Sequence, residues 1–200
     1  MKVILIRHGK TAANEQHLYC GSTDLSLSPG GREELGKLHY EVGSVRFATS
    51  GMKRTEETLK LLFGERPHEI LPGFREVDFG IFEMGSYQQL KDDPAYQAWI
   101  TGDNEKNVPP GGESGETMTK RVLTAWKAVE ETGEDWVIVT HGGVIAAILQ
   151  ALFPEEGKTR YQWQSAPGRG YCLTKENGVW AYAPLTEAGE CTVVSDREKG

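Results

Sequence analysis

The sequence predicts an α/β fold: a three-layer sandwich with a mostly parallel central sheet, helices on both faces and a C-terminal hairpin at the edge. Three observations carry this reading. Short apolar runs at residues 3–6, 45–49 and 136–140 are rich in β-branched side chains and lack polar alternation, as strands covered on both faces do. Each run is followed by a helix-like segment able to serve as the crossover that parallel strands require. Further on, residues 170–174 and 179–184 flank Glu176-Asn177-Gly178, and an Asn-Gly pair between two strand-like runs marks a tight hairpin turn.

The helices follow from local signals. Ser28-Pro29 sets a capping hydroxyl before a first-turn proline and starts a helix expected to reach about Tyr40. Ser50 is expected to cap the stretch 52–63. Met118, Val122, Ala125 and Val129 recur at helical spacing, so one face of 115–131 should turn to the core. Residues 144–153 are apolar all round and read as a buried helix.

The 200 residues fit one domain, 1–185, with a lid or substrate wall at about 77–112 and a polar tail at 186–200. A net charge of −7 argues against a nucleic-acid polymer or an anionic membrane surface as partner. Cys20, Cys172 and Cys191 are scattered and include no CxxC pair, which suggests neither a disulfide framework nor a zinc knuckle. No HxH or HxxxH spacing offers neighbouring metal ligands. No apolar run approaches the ~20 residues that cross a bilayer. The expectation is a cytoplasmic chain with no metal and no other cofactor.

The chemistry is concentrated at the strand ends. The first strand ends in Arg7-His8-Gly9, the second leads through Ser50 to Arg54 at a helix start, and the third ends in His141-Gly142-Gly143. In an open parallel sheet the ligand crevice lies beyond the carboxyl ends of the strands. Two arginines and two histidines should meet there. Guanidinium forks match phosphate oxygens, and helix starts near Thr11 and Gly143 add N–H groups and a favourable dipole. A histidine in such an anion site can act as a nucleophile and split one hard substitution into two easier ones. His17, His39 and His68 lie away from the strand ends and read as structural or exposed.

The motifs around these residues form a longer pattern. IRHGKTAAN spans 6–14; Tyr19, Gly21 and Asp24 follow, then LSPGG at 27–31 and TSGMKRTEETL at 49–59. FREVDFGIFE spans 74–83, PGGES 110–114 and VTHGGVI 139–145. In order and spacing they resemble the histidine phosphatase superfamily, in its phosphoglycerate-mutase-like branch. The resemblance implies that His8 is the nucleophile and that Arg7, Arg54 and His141 hold the non-bridging phosphoryl oxygens, with Asn14 and Gly142 as further contacts. It makes Glu76 the general acid that protonates the leaving alcohol and then activates water; the plainer reading of Glu76 is a pair with Arg75. Four departures stand out: Lys10 where Glu is common, Met52-Lys53 for a leucine-containing pair, Thr55 for a small Ala, and Met84 where Gly is common. Thr55 and Met84 suggest an altered pocket wall.

Within that chemistry the choice is between water and a second hydroxyl as acceptor. Residues 77–112 carry Lys91 and Lys106 against Asp78, Glu83, Asp92, Asp93, Asp103 and Glu105, an acidic wall ill suited to gripping a carboxylate and a second phosphate. The reading is a metal-independent phosphomonoesterase acting on a small phosphorylated metabolite. Phe79, Phe82, Tyr87, Tyr96 and Trp99 in the same stretch are either lid packing or an aromatic wall for a ring-bearing leaving group. The chain resembles the α-ribazole phosphatases, which makes α-ribazole 5′-phosphate the favoured substrate. The alternatives are mutase-type phosphoryl transfer and a non-catalytic phosphate-binding protein on the same fold.

Overall fold

A computed structural model of the chain describes residues 1–103 and 105–185. The expected tail at 186–200 lies outside the described residues. In chain order the elements are β1 (Lys2–Arg7), α1 (Ala12–Glu15), α2 (Pro29–Leu35), β2 (Arg46–Thr49), α3 (Lys53–Phe63) and β3 (Glu69–Ile70). There follow α4 (Tyr87–Leu90), α5 (Pro94–Ile100), α6 (Gly115–Glu131), β4 (Trp136–Thr140), α7 (Gly142–Leu152), α8 (Arg160–Trp163), β5 (Gly170–Glu176) and β6 (Val179–Pro184).

The six described strands form one mixed sheet in the order β3-β2-β4-β1-β5-β6. β3, β2, β4 and β1 run parallel, while β5 and β6 are antiparallel and close one edge as a hairpin. Asn177 and Gly178 at its tip both take positive φ, 50° and 81°, the conformation a two-residue type I′ turn demands.

Alternation along the central strands makes the three layers. Val3 and Leu5 of β1, with Trp136 and Ile138 of β4, pack against α6 and α7. Ile4, Ile6, Val137 and Val139 face the other way and pack with Leu35 of α2 and Leu59 and Leu62 of α3. Both faces are therefore dry, which is why the runs lack polar residues.

Three local expectations are corrected. The helix begun at Pro29 ends at Leu35 rather than near Tyr40, because the chain must turn for buried Tyr40 to donate its hydroxyl to Gly168 O at 2.8 Å. Ser50 does not cap α3; Met52 holds that position without a side-chain bond. Cys172 is disulfide-bonded while Cys20 is free; three scattered cysteines offer no spacing from which a pair could be read.

Register brings the carboxyl ends of these strands level. Arg7 pairs with Thr140, and Thr49 pairs with Val139. His8, Ser50 and His141 each follow directly on their strands, so they emerge together at the carboxyl edge of the sheet.

Candidate active site

His8 and His141 sit edge to face with ring centroids 5.1 Å apart. His8 is held by its backbone N–H on Thr140 O at 2.9 Å and by its ring: Nδ1 lies 2.7 Å from Gly9 O. A carbonyl oxygen only accepts, so Nδ1 carries the proton and Nε2 keeps its lone pair. Gly9 is fixed in turn by donating its N–H to Thr58 Oγ1 at 2.9 Å. Burial and the nearby charge of Arg54 push the His8 imidazole well below the usual histidine range, and Arg7 adds to that. The neutral form, with its lone pair on Nε2, is therefore favoured.

Arg54, on the first turn of α3, is 1% exposed yet makes no described ion pair. Its Nη2 donates to Gly21 O at 2.7 Å, Nη1 to Thr23 O at 2.8 Å and Nε to His141 Nδ1 at 3.3 Å. Arg7 donates from Nη1 to Ser165 O at 2.7 Å, and its buried Nε has no partner among the described residues. Burial lowers the pKa of both guanidinium groups. One buried and one half-buried cation, each facing carbonyls, form a site organised for an anion.

His141 is fully buried at the start of α7, with Nε2 2.8 Å from Ser50 Oγ. Burial and the surrounding cations, with His8, hold it well below the ordinary histidine value. Glu76 reaches the same place from the opposite wall: Oε2 accepts from Gly143 N at 3.0 Å and Oε1 from Val77 N at 3.0 Å. A side chain at Gly143 would put its Cβ 2.4 Å from Glu76 Oε1, so glycine is needed there for the approach. The pair between Glu76 and Arg75 is not formed; Arg75 Nε donates to Ser50 O at 3.3 Å.

Arg7, His8, Arg54, Glu76 and His141 are thus gathered. Gly142 lies against Arg7, where a Cβ would stand 3.3 Å from its Nε. Asn14 is engaged locally: its Oδ1 accepts from Thr11 N at 3.0 Å and Thr11 Oγ1 at 3.1 Å in the capping box of α1.

Beside Glu76 opens a cleft of about 430 Å³ lined by Asp24, Met52, Arg75, Asp78, Glu113 and Arg121 among others. The lid aromatics do not line it. Phe82 and Trp99 stack at 5.4 Å, Tyr19 and Tyr96 share a 2.6 Å hydroxyl contact, and Phe79 packs on both Tyr19 and Trp99. They are lid packing.

Two participants had no readable signal. Ser50 looked like a helix cap, and Glu83 looked like one more lid carboxylate. Glu83 accepts from the N–H groups of Gly21, Ser22, Thr23 and Phe79 and from the Thr23 hydroxyl, with distances from 2.6 to 3.2 Å. It thereby holds the loop whose carbonyls hold Arg54.

The family model of the histidine phosphatase superfamily (branch 1) matches residues 3–186. The chain belongs to the histidine phosphatase superfamily. An adenosylcobalamin/alpha-ribazole phosphatase of Salmonella typhimurium is 31% identical over 196 residues, covering 94% of this chain and 92% of the relative. Among solved structures, the alpha-ribazole phosphatase of Shigella flexneri superposes with a TM-score of 0.80 at 25% identity, over 98% of this chain and 100% of that one. A phosphoglycerate mutase of Thermus thermophilus superposes at 0.68 with 28% identity, over 94% and 98%. This superfamily member therefore resembles both phosphatases and mutases. No described helix is long and apolar enough to cross a membrane, and no described group of three or more His, Cys, Asp or Glu could hold a metal ion.

Proposed function

We propose that this histidine phosphatase superfamily member hydrolyses phosphomonoesters of small metabolites through phosphorylated His8, without a metal. The observation that carries the reading is the His8 tautomer: Nδ1 is spent on Gly9 O, so Nε2 offers its lone pair to phosphorus. The first step forms the Nε2–P bond as the P–O bond to the alcohol breaks, with Glu76 giving its proton to the departing oxygen. In the second, Glu76 takes a proton from water, the oxygen attacks phosphorus, and the Nε2–P bond breaks to release phosphate and restore His8.

Arg7 and Arg54 neutralise the charge spread over the phosphoryl oxygens, which is most of what this transfer asks of a protein. His141 lies beside them, its Nδ1 accepting from Arg54 Nε and so fixing the guanidinium that meets the group. Gly142 contributes its backbone N–H and Asn14 its side-chain amide, the carbonyl of Asn14 being committed to Thr11.

The leaving group occupies the cleft beside Glu76. Most lid carboxylates are engaged elsewhere: Glu83 in its loop, Glu105 with Arg160, Asp103 with Lys106, and Asp93 capping α5. Asp78 remains on the cleft with Asp24 and Glu113, which favours a neutral, hydroxyl-bearing leaving group over an anionic one. Alpha-ribazole 5′-phosphate is the substrate we favour, supported by the likeness to alpha-ribazole phosphatases. Mutase-type transfer is the second reading, favoured by Arg75 on the cleft as a cation able to meet a carboxylate.

A panel of phosphorylated metabolites assayed with EDTA present tests the proposal. Release of inorganic phosphate, highest for α-ribazole phosphate, is expected, and isomerisation of phosphoglycerates without phosphate release would establish the mutase reading instead.

A further inference from the structure

Thr55 departs from the pattern of the superfamily, and it does not line the cleft. It is fully buried on the first turn of α3. Its hydroxyl lies 2.7 Å from Met52 O, an acceptor only, so the Thr55 proton is spent there. Thr55 Oγ1 is also 3.1 Å from Ser50 Oγ; Ser50 must be the donor across that contact. With its single proton used, Ser50 accepts from His141 Nε2 at 2.8 Å. The ring proton of neutral His141 is therefore on Nε2. The other end of the chain gives the same answer independently: Arg54 Nε can only donate, and it faces His141 Nδ1 at 3.3 Å, which must be the bare nitrogen.

We propose that Thr55 is a positioning residue for His141, acting through Ser50 to keep the ring proton on Nε2 and leave Nδ1 bare to accept from Arg54 Nε, which fixes the guanidinium at the anion site. Without the Thr55 oxygen, the buried Ser50 hydroxyl loses its acceptor. It regains one by turning to donate to His141 Nε2. That moves the ring proton to Nδ1, where it opposes the N–H of Arg54, and the guanidinium loses the acceptor that fixes it. The tautomer follows from hydrogen-bond direction alone, whereas its kinetic consequence rests on the reading of Arg54 as a phosphoryl contact.

Nitrogen-15 NMR of histidine-labelled protein, free and titrated with inorganic phosphate, tests this on wild type, Thr55→Val and Thr55→Ser. Wild type and Thr55→Ser should show the His141 proton on Nε2. Thr55→Val, equal in shape but lacking the hydroxyl, should shift the ring signals toward the other tautomer. It should also bind phosphate about three- to tenfold more weakly, the size of one neutral hydrogen bond. KM for an aryl phosphate should rise by the same factor while kcat changes less.

A wild-type His141 protonated on Nδ1 overturns the proposal without any variant, so a Thr55→Val chain that fails to fold does not shelter it. Folded Thr55→Val with wild-type ring shifts and phosphate affinity also overturns it. If the ring shifts behave as stated but wild type neither hydrolyses esters nor forms phosphohistidine, the positioning role stands and the proposed function falls.

Discussion

His8 donates from Nδ1 to the carbonyl oxygen of its neighbour Gly9 at 2.7 Å, and this short contact leaves Nε2 as the ring nitrogen with a free lone pair, the one assigned to chemistry in the proposed function. It also sets the conditions under which that nitrogen is available. Burial, with Arg54 and then Arg7, holds the His8 pKa well below the ordinary 6.5. A protonated ring has no lone pair to give, so activity should survive acidification further than an exposed histidine would allow. The acid limb of kcat/KM for an aryl phosphate should lie below pH 6.5; a limb centred at or above that value contradicts the account.

The same shift enters stability. His8 and His141 are both lowered in the folded chain, so near pH 6.5 the unfolded chain takes up protons that the folded one refuses. Their contribution is fully present above 6.5 and is lost as pH falls toward the folded values. The urea midpoint should be lower at pH 5.5 than at pH 7.5.

Gly143→Ala tests the placement of Glu76. The added Cβ would sit 2.4 Å from Glu76 Oε1, so the carboxyl must move, while alanine suits a helix better than glycine does. We expect kcat to fall about 10- to 100-fold, as displacements near 1 Å do, with little change in Tm. Wild-type kcat in a folded variant would remove Glu76 from the reacting centre.

Glu83→Gln exchanges one acceptor oxygen for an NH2 that faces backbone N–H donors from residues 21–23 and 79. Stability should drop by about 1–3 kcal/mol in urea titrations. KM should rise as well, because the Gly21 and Thr23 carbonyls of that loop position Arg54.

Met84 takes φ +62°, a left-handed conformation that costs a residue with a Cβ roughly 1–2 kcal/mol. Glycine adopts it freely but loses roughly 0.5–1 kcal/mol through the unfolded chain. Met84→Gly should therefore leave stability unchanged or raise it by up to about 1.5 kcal/mol, read from the urea midpoint. The strain explains why glycine is common at this place, where an altered pocket wall was expected.

What could be read in the sequence was what burial and strand position write into it locally. β1, β2 and β4 announce themselves because both faces are dry, and their carboxyl ends carry Arg7, His8 and His141 in sequence as in space. The hairpin was legible from Asn177-Gly178. Long-range demands were not. Tyr40 leaves its expected helix to reach Gly168, and Ser50 serves a histidine 91 positions away, although a serine before a helix carries the local signature of a cap. Glu83 looked like surface acidity because its five donors come from distant loops as well as its own. Asn14 stood in the right motif, yet its carbonyl closes a helix cap.

The central claim is that phosphorus passes through His8 Nε2. Rapid alkaline quench during turnover, followed by mass spectrometry, measures this directly. Wild type should carry transient, acid-labile phosphate on His8, and His8→Asn should carry none, with hydrolysis reduced on the order of 10³-fold or more. Phosphate on another residue, or undiminished hydrolysis by His8→Asn, would contradict the account.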